Sequence, residues 1–186
     1  MNLLQYPQEQ CGSDLVQKII ALENTAWPSS GEKETFPSDP NTYVTSFVLL
    51  ENDAAVCHVG IRKGNLSHKG KEYLAYGLSE VVTHPAYQNQ GLASQLIKRA
   101  AKFIIAQRPD ISIFTCDKSK VSFYTKGGWE AVAGSCFVGG TKENPFRSDS
   151  LNLVTMMMFL SSKGKRHKKD FENADIVFEL GEGQLW

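Results

Sequence analysis

The 186-residue chain has no surplus of charge: 20 Lys and Arg residues offset 20 Asp and Glu, for a formal net charge of zero. With no global positive field to gather nucleic acid or an anionic bilayer surface, neither is an expected partner. Long apolar runs are missing as well. No window approaches the roughly 20 apolar residues that a bilayer span needs, and MNLLQYPQEQ lacks the basic-then-apolar order of a secretory signal, so a cytoplasmic location is expected. Cysteine is sparse. Cys11, Cys57, Cys116 and Cys136 are widely spaced and form no C-x-x-C pair or His–Cys cluster, which argues against a zinc centre or a disulfide framework and leaves reduced packing thiols. No metal is expected. Neither a Walker loop nor a G-x-G-x-x-G fingerprint is present, and there is no internal repeat or low-complexity linker.

What is present suits one mixed α/β domain over residues 1–186, with an ordinary hydrophobic fraction of 41% and 22% charged residues. Ser13 is placed to cap a helix along which Leu15, Ile19, Leu22 and Ala26 recur at helical spacing, before the prolines of WPSSGEKETFP break it. TSFVLLEN and AAVCHVGIRK, separated by an Asn-Asp turn signal, predict an antiparallel hairpin. YLAYGLSEVVTH predicts a third strand. From Leu92, an apolar stripe of Leu96, Ile97, Ala100, Ala101, Ile104 and Ile105 predicts a helix stopped by Pro109, and ISIFTC then predicts a buried strand. Together these make a βαβ unit with parallel strands. KVSFYTKGG predicts a short helix halted by Gly127 and Gly128, with a strand through Phe137 after it. LNLVTMMMFL and ADIVFEL predict two more strands, and SSKGKRHKKD, with five Lys or Arg in seven positions, reads as a solvated loop between them or as a contact for the acidic partner of a substrate.

The turn YQNQGLASQLI opens the second helix. A helix start exposes unpaired N–H groups and the positive end of the helix dipole, so Asn89, Gln90, Gly91, Leu92 and Ala93 offer consecutive amides suited to an anion such as a pyrophosphate. Simple turn chemistry explains the same glycine, and the stretch alone leaves both readings open. His58, on an otherwise apolar strand, reads as a satisfied core or edge histidine, His84 as a turn cap before Pro85, and Cys116 as a thiol with no activating neighbour.

VVTHPAYQNQGLASQLI resembles the acetyl-coenzyme A loop of the GNAT acetyltransferases, [RQ]-x-x-G-x-[GA], with Gln88, Gly91 and Ala93 in register. About thirty residues on, FYTKGGW is similar to the family's aromatic-Tyr-x-x-x-G-[FW] segment and places Tyr124 on its catalytic tyrosine. Within the superfamily the chain looks most similar to the aminoglycoside 2'-N-acetyltransferases: AAVCHVGIRK and GLSEVV resemble their third and fourth strands, and ADIVFELGEGQLW their tail. Gln184 departs from an acid in that tail, and the stretch from Glu80 to Gln88 is one residue shorter.

The resemblance implies a GNAT-like α+β fold: a mixed, mostly antiparallel sheet, flanking helices and a βαβ unit that binds acetyl-CoA as co-substrate. It implies that Gln88 to Ala93 hold the pyrophosphate and that a backbone amide at Val81 or Val82 polarises the thioester. Glu80 is the implied base, acting through a water, with a one-residue slip putting Ser79 there instead. Tyr124 is the implied acid, its ordinary pKa of about 10 standing near the 8.5 or so of a thiol. The acceptor is expected to be a small cationic amine, such as an amino sugar, docked by acids. Candidates are Glu32, Glu34 and Asp39 in the loop after the first helix, Asp149, and Glu179 and Glu182 in the tail; the resemblance also directs the carboxylate of Trp186 to the acceptor. A peptide or protein amine, a non-catalytic acyl-CoA-binding module, a longer acyl group and a homodimer stay open.

Overall fold

The computed structural model describes residues 1–7, 10–28, 36 and 41–186. Glu32, Glu34 and Asp39 lie outside them. Among the described residues, no helix is long and apolar enough to cross a membrane.

Strand β1 (Asn2–Pro7) pairs antiparallel with β2 (Tyr43–Glu51), Asn2 opposite Leu50 and Pro7 opposite Thr45. Between them in sequence, helix α1 (Ser13–Glu23) buries Leu15, Ile19 and Leu22. Its N-cap is Gly12, with no side-chain cap bond, so Ser13 is the first helical residue rather than the cap, and Ala26 falls beyond the helix end. β2 turns into β3 (Ala54–His68) through Asn52 and Asp53, both left-handed at φ 49° and 64°, as a two-residue hairpin requires. β4 (Lys71–Thr83) follows. A 3-10 turn at Pro85–Tyr87 is next, and the His84 side chain accepts the Ala86 N–H to cap it, as expected.

Helix α2 (Leu92–Ala106) buries Leu96, Ile97, Ala100, Ala101 and Ile104. Ile105 is instead 51% exposed, since it stands about 100° round the helix from Ile104. β5 (Ile111–Asp117) runs parallel to β4, with Ala75 opposite Ile111, which closes the βαβ unit. The short α3 (Val121–Thr125) ends before Gly127 and Gly128, and the chain continues through β6 (Glu130–Ala131), β7 (Cys136–Gly140), β8 (Pro145–Arg147) and β9 (Leu153–Phe159). The basic run is not a plain loop. It forms α4 (Ser162–Arg166), capped by Ser161, and a 3-10 turn at Lys168–Phe171, before β10 (Asp175–Val177). Lys163 is tied to the Asp110 carboxylate at 2.7 Å and the Glu72 carbonyl at 2.6 Å, and Lys168 to Glu130 at 2.6 Å.

The strands order as β1-β2-β3-β4-β5-β9-β6 in a seven-stranded sheet and β10-β7-β8 in a three-stranded one. Antiparallel pairing dominates the larger sheet, and helices accompany it, the mixed α/β architecture expected. The chain divides into two compact units, Met1–Arg62 with Leu78–Ala100, and Lys63–Gly77 with Ala101–Trp186. The first has a core in which Leu15, Ile19 and Leu22 of α1 pack with Phe36, Tyr43, Val48, Ala55 and Val82. Burying a large apolar side chain of this kind contributes roughly 1.5–3 kcal/mol of transfer free energy. In the second unit, Phe114 of β5 makes edge contacts with Tyr124 (4.8 Å) and Trp129 (5.3 Å), and the Trp129 indole N–H donates to Ser112 Oγ at 2.9 Å.

Candidate active site

The first unit holds Glu80, Val81 and Val82 on β4. Glu80 has φ of +51° inside the strand, a left-handed conformation that costs a non-glycine residue roughly 1–2 kcal/mol and kinks the pleat. Neighbours hold it there. His58 on β3 has its Nδ1 2.8 Å from the Glu80 carbonyl oxygen; a carbonyl only accepts, so Nδ1 carries the proton. The other ring nitrogen, Nε2, then accepts from Ser46 Oγ at 2.9 Å. The Glu80 carboxylate has Arg62 Nη2 at 3.6 Å and a hydrogen bond with the Tyr43 hydroxyl. Gly60 leaves the space for that hydroxyl: a Cβ there would collide with the Tyr43 oxygen.

His58 is fully buried, and burial lowers its pKa to about 4, the bond to the Glu80 carbonyl working the other way. Its Nδ1 lies 3.9 Å from Glu23 Oε1 on α1, within ion-pair distance only if the ring is charged, and burial keeps the ring neutral at neutral pH. Glu23, His58 and Glu80 offer atoms within 4.8 Å of one another. Both ring nitrogens are committed to hydrogen bonds with the Glu80 carbonyl and Ser46 Oγ, which leaves the imidazole no free lone pair to offer a metal ion. Burial also raises the Tyr43 phenol well above its usual value, the Glu80 charge adding to it.

The loop after β4 lies in the same unit. Asn89 (φ +62°) and Gly91 (φ +80°) are left-handed, and Gln88, Asn89, Gln90 and Gly91 are exposed. Gln88 and Gln90 fold their side-chain amides back onto the Thr83 and Ala86 carbonyls, each at 3.3 Å. The Gly91 carbonyl accepts the Gln95 N–H at 3.0 Å, which makes Gly91 the cap and leaves the amides of Leu92, Ala93 and Ser94 without helical partners. Nothing lies within 4 Å of where a Gly91 Cβ would stand. Left-handed Asn89 and Gly91, with unpaired first-turn amides at the head of a fifteen-residue helix, give the backbone elements of an amide nest, the kind of arrangement that suits phosphate oxygens.

In the second unit, Tyr124 is 8% exposed. Burial first, and the Cys116 thiol beside it, push its phenol far up, so the proton is firmly held at neutral pH. Burial and Asp117 raise Cys116 itself to about 11, which makes it a poor nucleophile. The backbone oxygen of Trp186 accepts from both the N–H and the hydroxyl of Thr115, at 2.7 Å each, and its indole rests on Gly77 and Phe178. Asp149 is exposed and gripped by Arg147, which also holds Asp175; Glu179 is exposed. A cavity of about 310 Å3, lined by Gly128, Glu130, Met158, Phe159, Leu160, Lys165 and Lys168, includes none of the expected site residues.

Sequence reasoning did not find Glu23, Tyr43, Ser46 or Arg62. They come from α1, β2 and β3, and only the fold assembles them round Glu80; the one local sign was Gly60, whose missing side chain makes room for a partner from another strand.

Among curated proteins no sequence match reaches significance. Solved structures do align. Escherichia coli ElaA has 13% identity and a TM-score of 0.61 over 84% of this chain and 99% of its own. An acyl-CoA N-acyltransferase from Pseudomonas aeruginosa has 13% identity and a TM-score of 0.60 over 84% and 97%. A probable N-acyltransferase from Enterococcus faecalis has 18% identity and a TM-score of 0.58 over 71% of this chain, which spans only 33% of that protein. These likenesses establish the fold. The family model described as the acetyltransferase (GNAT) domain matches residues 10–132, more than half of the chain and including β4, the amide nest and Tyr124. The chain therefore belongs to the GNAT family and is an acyl-CoA-dependent N-acetyltransferase.

Proposed function

We propose that the chain, acting as one transferase domain over residues 1–186 in the cytoplasm, moves an acetyl group from acetyl-CoA to a primary amine of a small cationic molecule of the aminoglycoside-like amino-sugar kind. The observation that carries this reading is the held, left-handed Glu80, followed on the same strand by Val81 and Val82 and then by the amide nest of Gln88 to Ala93. Acetyl-CoA supplies an acyl group activated as a thioester.

Glu80 takes the proton of the incoming ammonium through a water, and the Val81 or Val82 amide is directed at the acyl oxygen, where negative charge develops. Tyr124 delivers a proton to the departing sulfur. Free phenol to thiolate is already uphill by about 1.5 pKa units, and the burial of Tyr124 makes it steeper, so this proton transfer draws on the free energy released when the thioester becomes an amide. On the acceptor side we propose Glu32, Asp39, Glu179 and Trp186, with Asp149 acting from within its Arg147 pair.

Thiol release from acetyl-CoA in the presence of kanamycin, spermidine and a peptide with a free N-terminal amine tests the reading. Turnover with kanamycin supports it. Turnover with the peptide alone assigns a peptide or protein amine, and acetyl-CoA binding without any turnover assigns a non-catalytic module. With an active acceptor, Glu80→Gln should lose the alkaline-rising limb of the pH–rate profile. Tyr124→Phe should lower turnover about tenfold or more while acetyl-CoA affinity holds.

A further inference from the structure

We propose that His58 is a positioning residue for Glu80: its Nδ1–H, bonded to the Glu80 carbonyl, holds the left-handed kink that sets which way the Glu80 carboxylate and the following amides face. The catalytic part of this inference rests on the proposed role of Glu80; the geometric part does not.

Three observations carry it. First, Glu80 occupies a backbone region that a non-glycine side chain disfavours, and such residues persist only where the surroundings over-determine them. Strand alternation makes the consequence large, because returning Glu80 to extended φ re-aims the residues beyond it to the opposite face. Second, His58 sits fully buried between the apolar Cys57 and Val59, where an imidazole is costly unless both nitrogens are bonded. Both are: Nδ1 to the Glu80 carbonyl at 2.8 Å, and Nε2 to Ser46 Oγ at 2.9 Å.

Third, the bond is supported from a further strand. The Ser46 hydroxyl fixes the tautomer by donating to Nε2, and the Tyr43 oxygen lies 3.3 Å from both Nε2 and Ser46 Oγ while its hydroxyl also bonds the Glu80 carboxylate. Phe36 packs an edge against the ring at 5.3 Å. A polar relay thus runs from β2 through β3 to β4 and ends on one carbonyl, that of the strained residue. A histidine kept only for packing would also need two bonds, but not that one of them fall on the carbonyl of the strained residue.

Asparagine and glutamine separate the two ring nitrogens. The shorter amide of His58→Asn would place an N–H where Nδ1–H stands, whereas the longer one of His58→Gln reaches the Nε2 position and leaves the Glu80 carbonyl without its donor. The measurements are the amide–Hα coupling of Glu80 by NMR, which reads its φ, the imidazole nitrogen shifts of the wild type, which read the tautomer, and thiol release from acetyl-CoA with kanamycin. The wild type should show a ring protonated on Nδ1 alone. His58→Gln should move the Glu80 coupling to an extended value and lower turnover about tenfold or more, and His58→Asn should keep the coupling and restore most of the turnover. An unmoved coupling in His58→Gln, equal loss in both variants, or a ring protonated on Nε2 would overturn the proposal. If kanamycin is not turned over by the wild type, the acceptor reading fails while coupling and tautomer still decide the positioning. If His58→Gln does not fold, His58→Met, of similar bulk and without a donor, replaces it: the Glu80 coupling should move to an extended value, and an unmoved coupling is the overturning result.

Discussion

At His58 burial and charge work against each other, and the balance has a measurable sign. The ring titrates near pH 4 in the folded protein against 6.5 for an unperturbed histidine, so the unfolded chain takes up a proton that the fold refuses. Stability from this group is complete above pH 6.5 and is lost as pH falls from 6.5 towards 4, a difference of about 3 kcal/mol across the window. Among the described residues, the charged and titratable groups around the ring and its bonded partners are Glu23 on α1, Tyr43 on β2, Arg62 on its own strand and Glu80 on β4. All of them are common to the wild type and a variant at position 58, so the comparison isolates the histidine. Urea unfolding at pH 4.5, 5.5 and 6.5 should show the wild type gaining on His58→Asn as pH rises; parallel curves would contradict the neutral, buried ring. The sequence marked His58 as a satisfied core or edge histidine because the surrounding strand is apolar. That its bond falls on the carbonyl of Glu80 could not be read there, since the pairing depends on two strands in register and on a φ that no local pattern encodes.

At the scale of elements, the strand–turn–helix from β4 to α2 was the most legible part of the chain, because period-two and period-3.6 patterns meet at a glycine. Asn52 and Asp53 announced their hairpin for the same reason, the turn demanding the residues that tolerate positive φ. The basic run was misjudged: its charges suggested solvation, but Lys163 and Lys168 are spent on Asp110 and Glu130 from distant segments, and α4 is short enough to escape periodicity. The amide nest makes its own prediction. Gly91 at φ +80° has open space around its missing Cβ, so Gly91→Ala meets no clash, and its cost is the left-handed backbone alone, roughly 1–2 kcal/mol. If the chain relieves that strain by unwinding the turn, the amides diverge. Titration calorimetry should show acetyl-CoA binding weakened about tenfold with the thermal midpoint lowered by a few degrees, and unaltered affinity would remove the loop from phosphate binding.

Across the whole molecule, a chain without net charge cannot rely on a long-range field to collect a cationic acceptor, so recognition must come from short-range placement of a few groups. The proposed acceptor groups include the tail. Residues after β10 return to β5, where Thr115 donates twice to the Trp186 oxygen, and the indole, 4% exposed, lies on Gly77. The seat is tight: a Cβ on Gly77 would stand 2.5 Å from the indole and 2.6 Å from the Ile113 carbonyl, and the carbonyl cannot yield. Two substitutions therefore disturb the same contact from opposite sides. Trp186→Ala empties the seat and should destabilise by about 3 kcal/mol or more, whereas Gly77→Ala keeps the indole but displaces it. If Trp186 only packs, both variants should lose stability and leave the Michaelis constants for kanamycin and acetyl-CoA alike unchanged below their melting temperatures. If the tail faces the acceptor, both should raise the Michaelis constant for kanamycin several-fold, on the order of 1 kcal/mol of binding, with that for acetyl-CoA unmoved. A rise confined to acetyl-CoA would put the tail on the donor side and overturn the acceptor assignment, because a seat made by Gly77 and Thr115 can serve only the substrate whose binding its displacement weakens.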